Sequence, residues 1–130
     1  MMVFITGLIN KYDMANQRRK GHDYERKICR QLKEMGYDAV TTRQESHSLD
    51  AAGVDILLRD AEYHVQCKST SQTFNYPRFF EEYGEGLDKE IVVFHKRTKK
   101  AQTRFTSQGE YVIMKKKLFY ELMEKLNGLK

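Results

Sequence analysis

The stretch Gly53-Val-Asp-Ile-Leu-Leu-Arg-Asp-Ala-Glu-Tyr-His-Val-Gln-Cys-Lys68 predicts a β-hairpin made of two short strands and a tight polar turn. If the turn has two central residues, 60 and 61, counting back along the strands places Asp55 opposite Gln66. Side chains alternate between the two faces of a strand, so Gln66 and Lys68 share a face. The hairpin is therefore expected to bring a carboxylate, an amide and an ammonium group together.

These three groups suit chemistry on a phosphate. The Asp55 carboxylate and the Gln66 amide oxygen are hard ligands of the kind that Mg²⁺ and Mn²⁺ prefer. A neighbouring lysine can hold a phosphate or an attacking water. A surface hairpin with polar residues on its solvent face would show the same pattern. The hairpin by itself leaves both interpretations open.

An amphipathic helix is predicted over Lys20–Gly36, before the hairpin. Its apolar residues recur at helical spacing, namely Tyr24, Ile28, Leu32 and Met35. Gly36 is placed to end the helix. Glu25 lies at the border of this apolar stripe, where it can reach over a sheet edge toward the hairpin. An ordinary solvated glutamate near a helix N-terminus is the alternative.

The remaining pattern predicts strands and helices in alternation. Strands are expected at 37–43, Glu90–His95 and Glu110–Met114, and a polar loop at 44–52. A short helix is expected at Phe74–Tyr83, and a final amphipathic helix is marked by Leu118, Leu122 and Leu126. This order predicts an α/β sandwich around a mixed sheet. The chain is expected to form a single domain over residues 1–130, with residues 1–19 as an N-terminal arm.

Four residues, taken in order, resemble the PD-(D/E)XK nuclease superfamily. The family pattern is an early helix Glu, a strand Asp, and an acidic or amide residue two positions before a Lys; here these are Glu25, Asp55, Gln66 and Lys68. The opening Lys20-Gly-x-x-x-Glu-Arg26 is similar to archaeal Holliday-junction resolvases. Val65-Gln-Cys-Lys68 is more similar to Mrr-type restriction endonucleases, in which Gln replaces the usual Glu. The resemblance covers roughly Lys20 to Thr70.

The resemblance implies a restriction-endonuclease-like fold with an α-β-β-β-α-β core, and a metal-dependent endodeoxyribonuclease that nicks four-way junctions symmetrically. Asp55, Gln66 and the backbone carbonyl of Cys67 would hold Mg²⁺, or Mn²⁺ in its place, and Glu25 would complete the outer metal shell or a second metal position. Lys68 would orient the nucleophile or neutralise developing charge. Symmetric nicking implies a homodimer. The alternatives are a restriction- or repair-type duplex endonuclease, and a catalytically inactive DNA-binding module, since Gln66 brings no charge.

Basic residues occur in clusters that suit a polyanionic partner. The net charge of +5 fits branched or duplex DNA only weakly, but the distribution of charge is more informative. Clustered cations neutralise phosphates and release counterions; solvated loops are the alternative. The residues predicted to bind DNA are Arg18, Arg19, Lys20, Arg43, Lys96, Arg97, Lys99, Lys100 and Arg104.

The two cysteines, Cys29 and Cys67, are predicted to be buried thiols in a reducing compartment. No Cys/His pairs stand at zinc-ligand spacing. No stretch approaches the roughly 20 apolar residues of a membrane span, and residues 1–8 are too short for a secretory signal. The expected location is the cytoplasm, in association with DNA.

Overall fold

The structure is a computed structural model that describes residues 2–45, 49–50, 52–83 and 87–129. The helices are α1 (Met2–Glu34), α2 (Thr42–Glu45), α3 (Tyr76–Glu82) and α4 (Lys116–Gly128). The strands are β1 (Ala39–Thr41), β2 (Ile56–Leu58), β3 (Tyr63–Thr70), β4 (Glu90–Ala101) and β5 (Arg104–Ile113).

The five strands form one mixed sheet in the order β1-β2-β3-β4-β5. β3 and β4 run parallel, while every other neighbouring pair is antiparallel. The parallel pair requires a crossover, and α3 lies in that connection. The predicted α/β class and mixed sheet are confirmed. The predicted order of one helix, three strands, a helix and a strand is interrupted by the short helix α2, which lies between β1 and β2.

Each face of the sheet carries its own apolar core. On one side, called the α1 face, Tyr24, Ile28 and Leu32 of α1 pack against residues of β2 and β3 that include Ile56 and Val65. On the other side, called the α3 face, the core is formed by Phe79 of α3 with Val54, Ile91 and Val93. The sheet is therefore covered by a helix on both faces. Cys29 and Cys67 belong to the α1 core as free, buried thiols, as predicted.

The first helix is longer than the sequence pattern predicts. It begins at Met2, so the helical backbone continues through residues 2–19, which were predicted to form an arm. At its other end it stops at Glu34, and Gly36 takes a positive φ of 100°. Met35 therefore falls outside the helix and is 71 % exposed, although the periodicity placed it in the core. In α4 only the first leucine of the predicted stripe, Leu118, is buried.

Residues 96–107 form a two-stranded ribbon instead of a solvated loop. β4 extends six residues beyond the predicted His95, and β5 begins at Arg104. Thr98 is buried while its charged neighbours on the strand are not, which is the alternation expected of a strand with one covered face. Conversely, β1 is shorter than predicted because α2 begins at Thr42.

A β-bulge divides β5. Lys96 pairs with Glu110 but Thr98 pairs with Ser107, so Arg97 alone stands opposite two residues of β5. One of these, Gly109, has φ of +113°, the positive value that this kind of bulge requires. The extra residue resets the alternation of side chains. As a result, Ser107 lies on the same face as Glu110, toward α1.

Substitution of Gly109 by alanine tests the bulge. A Cβ at this position would lie 2.8 Å from Tyr111 Oη and would carry an unfavourable positive φ. We expect Gly109→Ala to lower the free energy of unfolding by about 2 kcal/mol. Gly21→Ala is the matched control, because its added Cβ meets nothing within 4 Å and lies within a helix. The control should stabilise the protein by up to about 1 kcal/mol; thermal melts that show equal effects would contradict the bulge.

Candidate active site

The predicted hairpin register is present in the structure. Ile56 is paired with Val65, which is the pairing obtained by counting back from a two-residue turn. One residue earlier in the chain the regular backbone pairing ends, because Asp55 N donates a hydrogen bond of 2.8 Å to the carbonyl of Val65. The Asp55 carboxylate then accepts a hydrogen bond of 2.8 Å from the backbone N–H of Cys67. Asp55 is thereby held against the strand that carries Gln66 and Lys68.

Gln66 and Lys68 lie on the α3 face. Their partners on parallel β4 are Val93, a member of the α3 core, and His95. The Lys68 ammonium lies 5.8 Å from the centroid of the Phe74 ring. It is also close enough to Asp55 to oppose the rise in the pKa of that carboxyl. The structure therefore places the ammonium group within electrostatic range of the carboxylate, and the Gln66 amide contacts Cys67, the residue whose N–H binds that carboxylate.

Glu25 reaches the same site from α1. It is only 8 % exposed, and its carboxylate binds the Nε of Arg43 at 3.1 Å. Arg43 is one of the cations predicted to bind DNA, and its charge here is matched by Glu25. Glu25 also acts electrostatically on Asp55. Glu25 and Lys68 are thus both within electrostatic range of Asp55.

The site holds more negative charge than its own cations compensate. The pKa of Asp55 is raised to about 7 by burial first and by the nearby charges of Glu25 and Asp50, while the Cys67 N–H and Lys68 oppose the rise. Burial also raises the pKa of Glu25, while Arg43 and His22 oppose that rise. A pair of desolvated carboxyls in this state favours either a proton or a bound cation.

The oxygen atoms present fit a hard divalent metal. The Asp55 carboxylate, the Gln66 amide and the Cys67 carbonyl are all oxygen donors of the type Mg²⁺ takes. The Gln66 Nε2 currently donates to the Cys67 carbonyl at 3.4 Å, so its amide oxygen remains available. Among the described residues, no three or more His, Cys, Asp and Glu side chains are grouped as a metal site. Holding a metal would therefore depend on the amide and carbonyl oxygens, and on oxygens of a ligand.

Three site residues were missed by the sequence interpretation. His95 lies beside Lys68, and its buried Nε2 has no hydrogen-bond partner in the described part of the chain. Burial, together with Arg97 and Lys68, lowers the pKa of His95. Only the parallel pairing of β3 with β4 places it there, and a sequence does not reveal such a pairing. Asp50 belongs to residues 44–52, which the sequence predicts to be a polar loop without any motif, although residues 49–50 are helical in the structure. His22 stands three residues before Glu25, and helical spacing predicts their proximity.

The predicted DNA-binding cations other than Arg43 gather on one part of the molecule. Lys96, Arg97, Lys99, Lys100 and Arg104 all belong to the ribbon. The cluster 18–20 on α1 lies beside this ribbon, and the Lys20 ammonium donates to the Thr98 hydroxyl at 3.1 Å. His47, which the sequence places in the loop before the hairpin, lies outside the described residues.

Comparison with protein-family models, with curated proteins and with solved structures finds no significant match for this chain. Searched over its described residues, the chain shows no helix with the length and apolar character that crossing a membrane requires.

The raised pKa of Asp55 predicts how stability depends on pH. The ordinary pKa is 3.8 and the folded value is about 7, so between these values the folded chain binds more protons than the unfolded chain. The contribution of Asp55 to the free energy of unfolding therefore falls as the pH rises from about 4 to 7. Asp55→Asn removes the charge and keeps an oxygen for the Cys67 N–H. We expect it to stabilise the metal-free protein by on the order of 1–2 kcal/mol at pH 8, and by almost nothing at pH 4.

Thermal melts at the two pH values measure this difference. Glu124→Gln, on an exposed part of α4, is the control and should shift both melts equally. An Asp55→Asn protein that is no more stable than its parent at pH 8 would show that the Asp55 carboxylate costs the fold nothing.

Proposed function

We propose that this protein is a metal-dependent endodeoxyribonuclease that nicks four-way DNA junctions, and that its sandwich is of the restriction-endonuclease-like type. The observation that carries the proposal is the placement of the Asp55 carboxylate. It is hydrogen-bonded to the amide of Cys67, between the two motif residues Gln66 and Lys68. This contact ties Asp55 to the strand that carries Gln66 and Lys68, and it supports the assignment of these residues to the motif of the PD-(D/E)XK nucleases.

Asp55, the Gln66 amide oxygen and the Cys67 carbonyl would hold Mg²⁺, with Glu25 in the outer shell. When bound, the metal supplies an activated water and stabilises charge on the phosphate. The Cys67 N–H orients the Asp55 carboxylate by occupying one of its oxygens, Oδ2, and leaves Oδ1 for the metal. The Gln66 amide nitrogen now donates to the Cys67 carbonyl. To bind a metal together with that carbonyl, Gln66 would have to rotate its amide so that the oxygen replaces the nitrogen on that side.

Lys68 is suited to act on the phosphate directly. Within the described residues no carboxylate lies at ion-pair distance from its ammonium, so its charge is available to a substrate. The ring of Phe74 and the imidazole of His95 border it. The low pKa of His95 keeps that ring uncharged at neutral pH, so it does not repel the ammonium. Lys68 therefore orients the attacking water or neutralises the charge that develops on the phosphate.

A four-way junction presents two equivalent strands, so symmetric nicking calls for two copies of the site. A two-fold homodimer supplies them, and this symmetry is the commonest among oligomers. The cations of the ribbon and of residues 18–20 would neutralise backbone phosphates.

A second candidate function is supported by the contact between Gln66 and the Cys67 carbonyl. An amide nitrogen on a predicted metal ligand opposes metal binding, and Gln66 adds no charge. A DNA-binding module that has lost catalysis would tolerate this arrangement. A duplex nuclease of the restriction or repair type would share the site but not the preference for junctions.

Cleavage assays on a synthetic four-way junction, beside linear and branched duplexes of matched sequence, test the proposal. With Mg²⁺ or Mn²⁺ we expect paired symmetric nicks in the junction alone. Lys68→Ala and Asp55→Asn should each lower the rate at least about a hundredfold because they remove transition-state charge stabilisation and a metal ligand. Lys117→Ala, on exposed α4, is the matched control and should cut normally.

The other outcomes separate the alternatives. Cutting of every substrate supports a general duplex nuclease. Binding of the junction without any cutting, in both metals, supports the inactive module and would refute the proposed activity.

Replacement of Gln66 by glutamate tests its role as a ligand. The added charge should tighten Mn²⁺ binding in the DNA-free protein by about tenfold or more, because carboxylates attract divalent cations more strongly than amides do. Cleavage should be retained. Gln31→Glu, which adds the same charge on the exposed side of α1, should leave the affinity unchanged. Calorimetry that gives both variants the parent's affinity would show that Gln66 does not contact the metal.

A further inference from the structure

A basic pocket lies between α1 and the ribbon, on the α1 face of the sheet. Consecutive side chains of a strand point to opposite faces. Lys68 and its partner His95 point to the α3 face, so the next pair, Ser69 and Lys96, points to the α1 face, as does Thr98. The pocket has a volume of about 520 Å³ and is called the ribbon pocket. Its lining is formed by Arg19, Lys20, Asp23, Tyr24, Lys27, Lys96, Thr98, Thr103, Phe105 and Ser107. It is thus distinct from the candidate active site.

The Lys20 ammonium is held in the ribbon pocket by uncharged groups. It donates to the Thr98 hydroxyl at 3.1 Å and lies 4.0 Å from the centroid of the Phe105 ring. Burial lowers its pKa, and repulsion from Lys96 lowers it further. A hydroxyl and an aromatic ring position the ammonium without neutralising it. Lys20 is therefore a preorganised cation whose charge is not compensated.

Of the other charged residues in the lining, Arg19 and Lys96 add to this uncompensated charge, whereas Lys27 and Asp23 are paired. Lys27 binds Glu110, and the single acidic lining residue, Asp23, is paired with Arg26. By contrast, in the part of the chain that the structure describes, no carboxylate lies within 4.0 Å of the cationic groups of Arg19, Lys20 or Lys96. Converging cations without counter-charges attract an anion, and most strongly where they are partly desolvated.

The size and chemistry of the pocket suit more than a bare anion. Its volume falls in the range of roughly 300–1,000 Å³ that ordinary ligand sites occupy. Besides its cations it offers the ring of Phe105 and hydroxyls of Thr98, Thr103 and Ser107. An aromatic surface beside cations is the combination that binds nucleotides of single strands. The bulge at Gly109 is what brings Ser107 to this side of the ribbon.

We propose that the ribbon pocket binds one nucleotide of the nucleic-acid substrate, with its phosphate at Lys20 and Lys96 and its base against Phe105. The proposal rests on the proposed function for the identity of the substrate. The bound nucleotide is unpaired, since a base that is paired and stacked in a duplex has no free face to offer Phe105. The pocket and Lys68 lie on opposite faces of the sheet, so the bound nucleotide lies outside the strand segment that is cut.

Lys20→Met is the variant that tests the pocket, because it removes the charge but retains an apolar stem over Phe105. Lys117→Met, on exposed α4, makes the same change in charge elsewhere. Fluorescence anisotropy, with EDTA present to prevent cutting, gives the affinity of each protein for a single-stranded and a duplex oligonucleotide of equal length. We expect Lys20→Met to weaken single-strand binding about tenfold and to flatten the salt slope by about 0.7, the value for one lost contact to a single strand.

The comparison of variants and substrates decides the result. An effect of Lys20→Met on the single strand, with a smaller effect on duplex and little effect of Lys117→Met, supports the proposal. Equal effects on both substrates would mean that the pocket takes an ordinary duplex phosphate and would overturn the unpaired nucleotide. Equal effects of the two variants would overturn the pocket itself. Lys20→Arg retains the charge and should retain most of the affinity, which guards against a folding defect in Lys20→Met.

A second measurement uses small ligands with the parent protein. Titration with deoxyadenosine monophosphate should shift the amide NMR signals of Thr98 and Phe105 at lower concentration than inorganic phosphate does. Equal potency of the two would overturn the contact with the base. Both measurements are made without cleavage, so they stand even if the junction is never cut, and an active nuclease that lacks this binding would refute only the pocket.

Discussion

The hydrogen bond from the Cys67 amide to the Asp55 carboxylate is the interaction on which the site depends. At Ile56 the hairpin is still an ordinary antiparallel pair, but one residue earlier the backbone ladder changes. The side chain of Asp55 takes over there and satisfies an N–H of β3. A structural hydrogen bond and a chemically useful carboxylate are therefore the same group. Removal of this acceptor would leave a polar backbone group unsatisfied in a poorly solvated place.

Burial of the Asp55 carboxylate lowers the stability of the fold, because the charged group loses its solvation. Burial raises its pKa, Glu25 and Asp50 raise the pKa further, and Lys68 opposes this rise only in part. A stable core alone would gain from a neutral residue at this position. Sites that sacrifice stability in this way are frequently functional. The same reasoning applies to Lys20, a partly buried cation held by a hydroxyl and a ring.

The sheet separates the two kinds of chemistry. Parallel pairing of β3 with β4 places Lys68 and His95 together on the α3 face, whereas the α1 face carries Lys96 and Thr98. In β5 the bulge at Gly109 resets the alternation, so that both Glu110 and Ser107 turn toward α1. The α1 helix lies over one face and contributes to both places, with Glu25 at the candidate active site and Lys20 at the ribbon pocket.

The sequence by itself determined the hairpin, its register and the mixed α/β class, and it singled out the candidate site residues on that hairpin. These depend on local rules, namely the period-2 alternation, the length of the turn and the helical spacing of Tyr24, Ile28 and Leu32. Tertiary structure alone decided the extent of the ribbon and the neighbours of Lys68. A charged strand such as 96–101 carries little hydrophobic signal, because long polar side chains cover its apolar contacts. His95 and Asp50 enter the site through pairings between distant segments, and such pairings follow from packing of the whole chain.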